Sequence, residues 1–152
     1  MGHHISAIVT AAPIDQQQAA AYDLPCFTES GFTIIGLHPQ HSDYWADKLD
    51  LSHHEYSELP LDNEVTRFFA RTLQLGRYAL IHTDYFGVNG QQQATVIEGE
   101  RVLLPVMNGG INAALRLLGV RRGRLTDEFD TIRLGTYRSF EDYFARYYED
   151  SD

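Results

Sequence analysis

Cysteine occurs once in the 152 residues, as Cys26, which excludes an internal disulfide and a cysteine-based metal cluster. No apolar run approaches the ~20 residues of a membrane-spanning helix, so a membrane protein of that kind is excluded. The opening Met1-Gly-His-His-Ile-Ser-Ala-Ile-Val has neither the basic stretch nor the long apolar stretch of a signal peptide, and a cytoplasmic location is the expectation. Lysine is also nearly missing: Lys48 stands beside eleven arginines. With 12 cationic against 21 acidic side chains the net charge is −9, which argues against nucleic-acid binding, because phosphates are held by clustered cations. No glycine-rich loop is followed by Lys-Ser or Lys-Thr, and no HExxH spacing occurs, so the common phosphate and zinc-protease motifs are absent.

What is present is ordinary globular material, 43% hydrophobic and 22% charged. The length suits one domain, 1–152, able to bury roughly two-thirds of its unfolded surface. There are no internal repeats and no interdomain linker. The charge is uneven. Residues 1–60 hold eight acidic side chains against Lys48, and residues 101–138 hold seven arginines against Asp127, Glu128 and Asp130. The acidic field favours a basic partner.

Ile5 to Thr10 reads as a β-branched strand, and Gln16 to Ala21 as a helix that Pro13 introduces. Gly31 to His38 is a second strand, stopped by Pro39. Residues 39–61 are polar and acidic and read as a long surface excursion with one short helix near Ser42 to Lys48. Asp62 is placed to cap a helix reaching Leu75, whose Val65, Phe68, Phe69, Thr72 and Leu75 share one face, with Gly76 as its left-handed stop. A further helix spans Ile111 to Leu118. Ser139 and Asp142 open a last one, with Phe140, Tyr143, Phe144, Tyr147 and Tyr148 as an aromatic stripe facing the core.

Between the helices runs a hairpin. Asn89-Gly90 is the turn that a type I′ geometry favours, which predicts Phe86 opposite Gln93, Asp84 opposite Thr95 and His82 opposite Ile97. Glu98-Gly99-Glu100 then turns into a third strand. The fold class expected is α+β, a mixed or antiparallel sheet with a central hairpin or meander at about 78–104, packed by three or four helices. Alternation puts Tyr78, Leu80, His82, Asp84 and Phe86 on one face. His82 and Asp84 are thereby candidate catalytic neighbours, since a carboxylate can orient an imidazole and raise its basicity. The alternative is a polar, inert patch at the end of a sheet. His4, His38 and His82 each lie on or beside a strand and could converge as ligands of a divalent metal such as zinc, with Asp84 joining them. Without that convergence no cofactor is expected.

The start Gly2-His3-His4, the hairpin Asp84-Tyr85-Phe86-Gly87 with Gly90 and Gln92, the helix Ile111-Asn112-x-Ala114-Leu115-x-x-Leu118-Gly119-Val120 and the run Asp127-Glu128-Phe129-Asp130 together resemble a group of small bacterial proteins without an established activity. The resemblance implies a shared fold. Members carry Gly-Gly in the hairpin loop and Glu before its glutamine, where this chain has Gly87-Val88 and Gln91. A catalytic carboxylate at that position would therefore be missing.

Three functions follow as expectations. The first is a protein-binding role, such as an immunity protein that neutralises a basic toxin enzyme. Tyr44, Trp45 and Tyr56 would act as anchors amid Asp43 and Asp47. The second is a small hydrolase or metal-dependent enzyme using His82 and Asp84. The third is a homo-oligomeric module, for example a homodimer joined through the aromatic C-terminal helix.

Overall fold

Six strands form one antiparallel sheet in the order β2-β3-β1-β4-β5-β6 in a computed structural model that describes residues 3–86, 89–121, 132, 134 and 139–147. The strands are β1 (His3–Thr10), β2 (Cys26–Glu29), β3 (Phe32–Leu37), β4 (Arg77–Phe86), β5 (Asn89–Glu98) and β6 (Arg101–Asn108). Between them lie α1 (Gln16–Ala21), α2 (Pro39–Lys48), α3 (Glu64–Thr72) and α4 (Ile111–Leu117), and a 3₁₀ helix, Glu141–Tyr147, follows. The fold is α+β. Among the described residues no helix is long and apolar enough to cross a membrane.

β1 and β4 take the middle of the sheet because both of their faces are apolar, which only a strand covered on both sides can use. One face gathers Ile5, Ala7, Val9, Ala79, Ile81, Ala94 and Val96 beneath α4 and the aromatic C-terminal segment. The opposite face gathers Ile8, Ile35, Leu80 and Ile97 beneath α1, α2 and α3. β6 is an edge strand, and Pro105 within it blunts the edge by removing a donor. β5 and β6 shift register between Ala94 and Ile97, and there the Thr95 hydroxyl donates to the Leu104 carbonyl at 2.6 Å.

The hairpin pairs differently from the turn rule. Phe86 lies opposite Asn89, Asp84 opposite Gln91 and His82 opposite Gln93. The connection is therefore 87–88, outside the described residues, and Asn89-Gly90 belongs to β5. The four-residue shift preserves the side-chain faces, because the strand period is two.

Two other expectations change. The excursion at 39–61 begins with a ten-residue helix that buries His41, Ser42, Trp45 and Ala46. Pro39 ends β3 and also opens α2, where its missing N–H is harmless. α3 is capped by Asn63, whose side chain accepts from the Thr66 N–H at 3.0 Å, and it ends at Thr72 rather than Leu75. Asp62 turns inward instead, and its carboxylate receives Arg67 and Ser57.

In the C-terminal stripe Phe140, Phe144 and Tyr147 are buried and Tyr143 is exposed, while Tyr148 lies outside the described residues. Phe140 lies over Gly36, where a Cβ would come within 2.9 Å of its ring. Tyr147 reaches across to α2: its hydroxyl accepts from the Trp45 indole at 3.2 Å and donates to Asp23 at 2.5 Å. Cys26 is half-buried, and burial pushes its thiol up to about 11, which disfavours the reactive thiolate.

Candidate metal-binding cleft

β1 outruns β3 at one end of the sheet. Its pairing with β3 stops at Ser6 opposite Leu37, whereas its pairing with β4 continues to His3 opposite Tyr85. At Leu37 the chain turns away into α2, and the vacated position beside β1 becomes a notch. Ser139 closes its far side by a bridge to His4. The result is a small cleft of about 230 Å³ between His4, Ser6, His82, His38, Pro60 and Phe140.

The register decides which groups meet there. His4 lies opposite Asp84 and Ser6 opposite His82, so strand alternation puts all four side chains on the face that carries α1 to α3. The His4 Nδ1 stands 3.4 Å from an Asp84 carboxylate oxygen. The His4 and His82 rings meet edge to face with centroids 5.4 Å apart. The Ser6 hydroxyl and the His82 Nδ1 are 2.8 Å apart. One ligand atom from each of His4, His82 and Asp84 lies within 4.8 Å of the other two.

These distances suit a small divalent ion. Two ligands each ~2.1 Å from a tetrahedral zinc ion stand roughly 3.4 Å apart, which is the separation of His4 and Asp84. The His4 and Asp84 side chains are more than half exposed, which leaves them room to turn toward His82. The contact with Ser6 occupies the His82 Nδ1 and leaves Nε2 as the nitrogen that could serve as a ligand, as an outer-shell partner does for a metal-bound histidine. Burial lowers the His82 pKa and neighbouring His4 lowers it further, against the opposing pull of Asp84, so the imidazole keeps its lone pair. Ser6 and His82 also have the spacing of a hydroxyl beside its general base, although Ser6 is 8% exposed.

His38 lines the same cleft but has a different task. Its Nδ1 accepts from the Gln40 N–H at 3.2 Å as the cap of α2, and its ring lies against Phe144. It is outside the trio whose ligand atoms converge. His41, a core histidine, donates from Nε2 to the Tyr22 carbonyl at 2.7 Å, with Phe144 and Tyr147 against its ring. Ser6 had no signal in the sequence beyond being a polar residue in an apolar strand. Only the β1–β4 register reveals it.

Of the residues expected to form a binding surface, Asp43, Tyr44, Trp45 and Asp47 lie on α2 and Tyr56 lies beyond it. Trp45 is 7% exposed and Tyr44 is half-buried, so neither stands out as an anchor. Asp43 and Asp47 are exposed on α2 and both face His53, at 3.9 and 3.1 Å. Tyr56 is exposed and its hydroxyl donates to Glu64.

No family model, no curated protein and no solved structure matches this chain, so the reading of the cleft rests on its geometry.

Proposed function

We propose that the chain is a divalent-metal protein whose His4, His82 and Asp84 hold a zinc-like ion at the mouth of the cleft, with Ser6 orienting His82. The observation that carries this reading is the convergence of three ligand atoms from two adjacent strands within 4.8 Å. Two histidines and one carboxylate leave a coordination position open toward the cleft. There the ion would activate a water or polarise a substrate oxygen, so metal-assisted hydrolysis of a small substrate is the reaction class that fits.

The test is a zinc titration of untagged protein, in competition with a chromophoric chelator. One equivalent per chain is expected. His82→Ala and Asp84→Ala should each weaken binding by at least about 100-fold, and Ser6→Ala by about 10-fold, the lower end for outer-shell partners. Equal affinity in wild type and in both ligand variants would remove the site, and activity that survives chelation would move the chemistry to Ser6 and His82.

A second reading, an acidic surface for a basic protein such as a toxin enzyme, has the exposed Asp43 and Asp47 of α2 in its favour, with side chains 74 and 79% exposed. It predicts salt-sensitive binding to the product of a neighbouring gene, lost in the Asp43→Asn/Asp47→Asn double variant. Absence of such binding in the wild type ends it.

A further inference from the structure

At the opposite end of β4, on the same face of the sheet, lies a second cleft of about 600 Å³, between α3, the turn into β4 and the β5–β6 turn. That size is usual for small-molecule sites. Its polar lining is Arg67, Arg71, Gln74, Tyr56, Tyr78 and Glu100, and Leu75 and Val102 add an apolar wall. Tyr78 and His82 are four residues apart, roughly 14 Å along the strand, so the two clefts are separate.

Three features point to a ligand rich in hydrogen-bond acceptors. First, Arg67 is buried, with a side chain 10% exposed, yet among the described residues it gives only Nε and one terminal nitrogen to Asp62, at 3.0 and 2.9 Å. A guanidinium has five N–H donors, so donors remain unspent. Tyr56 covers one face of that guanidinium, 4.3 Å from ring centroid to carbon. Second, Arg71 lies one turn further along α3 on the same side and is half-exposed. Its partner Glu64 also receives the Tyr56 hydroxyl. Third, Tyr78 is 2% exposed and its hydroxyl has no hydrogen-bond partner among the described residues. A buried hydroxyl left unpaired is costly, and a ligand that brings an acceptor would remove the cost. Asp62 and Glu64 balance the two arginines and Glu100 adds a further negative charge to the lining, so a dianion is disfavoured and recognition falls to the unspent donors.

We infer that this cleft binds a small organic acid, its carboxylate held by Arg67, Arg71 and the Tyr78 hydroxyl and its flat apolar body lying against Leu75 and Val102. The inference does not depend on the metal site.

Benzoate and inorganic phosphate are the probes, titrated into the full chain at constant ionic strength and followed by amide chemical shifts. Benzoate should bind saturably, at least about 10-fold more tightly than phosphate, as expected of a contact made by the apolar wall. Tyr78→Phe and Arg71→Gln should each weaken it by about 10-fold or more, the loss of one charge-assisted hydrogen bond. Tyr78→Phe should leave the melting temperature of the free protein unchanged or higher, because its hydroxyl has no partner to lose. His82→Ala should leave benzoate binding intact. Absence of saturable benzoate binding, equal affinity in both variants, or phosphate binding as tightly as benzoate would each overturn the inference.

Discussion

Replacing Asp62 with alanine is expected to destabilise the protein by about 3–5 kcal/mol, the range for breaking a buried ion pair from one side. The carboxylate is almost wholly enclosed, 3% exposed against 10% for the Arg67 side chain. One oxygen takes both Arg67 contacts, and the other accepts from the Ser57 hydroxyl at 2.6 Å. Alanine would leave the guanidinium buried beside Tyr56 without an anion, and Ser57 without its acceptor. The penalty comes from the abandoned charge more than from the lost attraction. Removing both partners should therefore cost much less: Asp62→Leu combined with Arg67→Met is expected to recover most of the loss. Urea denaturation of the wild type, Asp62→Leu, Arg67→Met and the double variant, beside Asp62→Ala, decides the matter, with unchanged slopes as the sign that the unfolded states are comparable. A single-variant loss below about 1 kcal/mol would mean that water reaches Arg67 in solution. Set against the ~5–15 kcal/mol that holds typical domains folded, the expected loss is large. Asp62 is thus a core residue, although the sequence places it where a solvent-exposed helix cap belongs.

That contrast shows how far the sequence could be read. Elements with a clear period were legible. Ile5 to Thr10, the strand from Phe32, and the helices at 64–72 and 111–117 follow from β-branched runs or three-and-four spacing. The shared face of His82 and Asp84 was legible as well, because strand alternation does not depend on register. The register itself was not. Asn89-Gly90 has the local preference of a tight turn, but the pairing observed brings Ala79 and Ile81 opposite Val96 and Ala94, four residues that are all buried on one face. Burial of a two-sided sheet outweighed the turn propensity of one dipeptide. α2 was read too short for a related reason. Two of its four buried residues are His41 and Ser42, so the helix lacks the apolar stripe by which such helices are recognised. On α3 the stripe misled in detail: Phe68 is only partly buried, whereas Arg67 is inside. The cleft at His4, Ser6 and His82 depends on contacts between residues 76 or more positions apart, which no local pattern encodes.

The second large effect is expected at Phe144. Replacing it with alanine should cost about 3–5 kcal/mol, the usual range for removing a fully buried aromatic ring. Phe144 is 0% exposed and joins the two faces of the molecule at their common end. It belongs to the core beneath α4, and its ring also meets His41 of α2 at 4.9 Å and His38, the cap of α2, at 5.6 Å. The 3₁₀ helix that carries it has poor hydrogen-bond geometry of its own, so packing must hold the segment in place. The same segment brings Ser139 to the end of β1 beside His4 and lays Phe140 over Gly36 as one wall of the cleft. If the proposed site holds zinc, loosening Phe144 should weaken that binding as well as stability, although the ring contacts of Phe144 among the described residues are with His38, His41 and Tyr147 rather than with the three proposed ligands. Phe144→Leu separates the two effects. It retains much of the apolar volume and should lose less than half as much stability, with zinc affinity close to wild type. If Phe144→Ala lowers stability but leaves zinc affinity unchanged, β1 and β4 alone position His4, His82 and Asp84. If both fall together, the C-terminal segment is part of the site, because an ion held by two strand ends needs those ends kept from fraying.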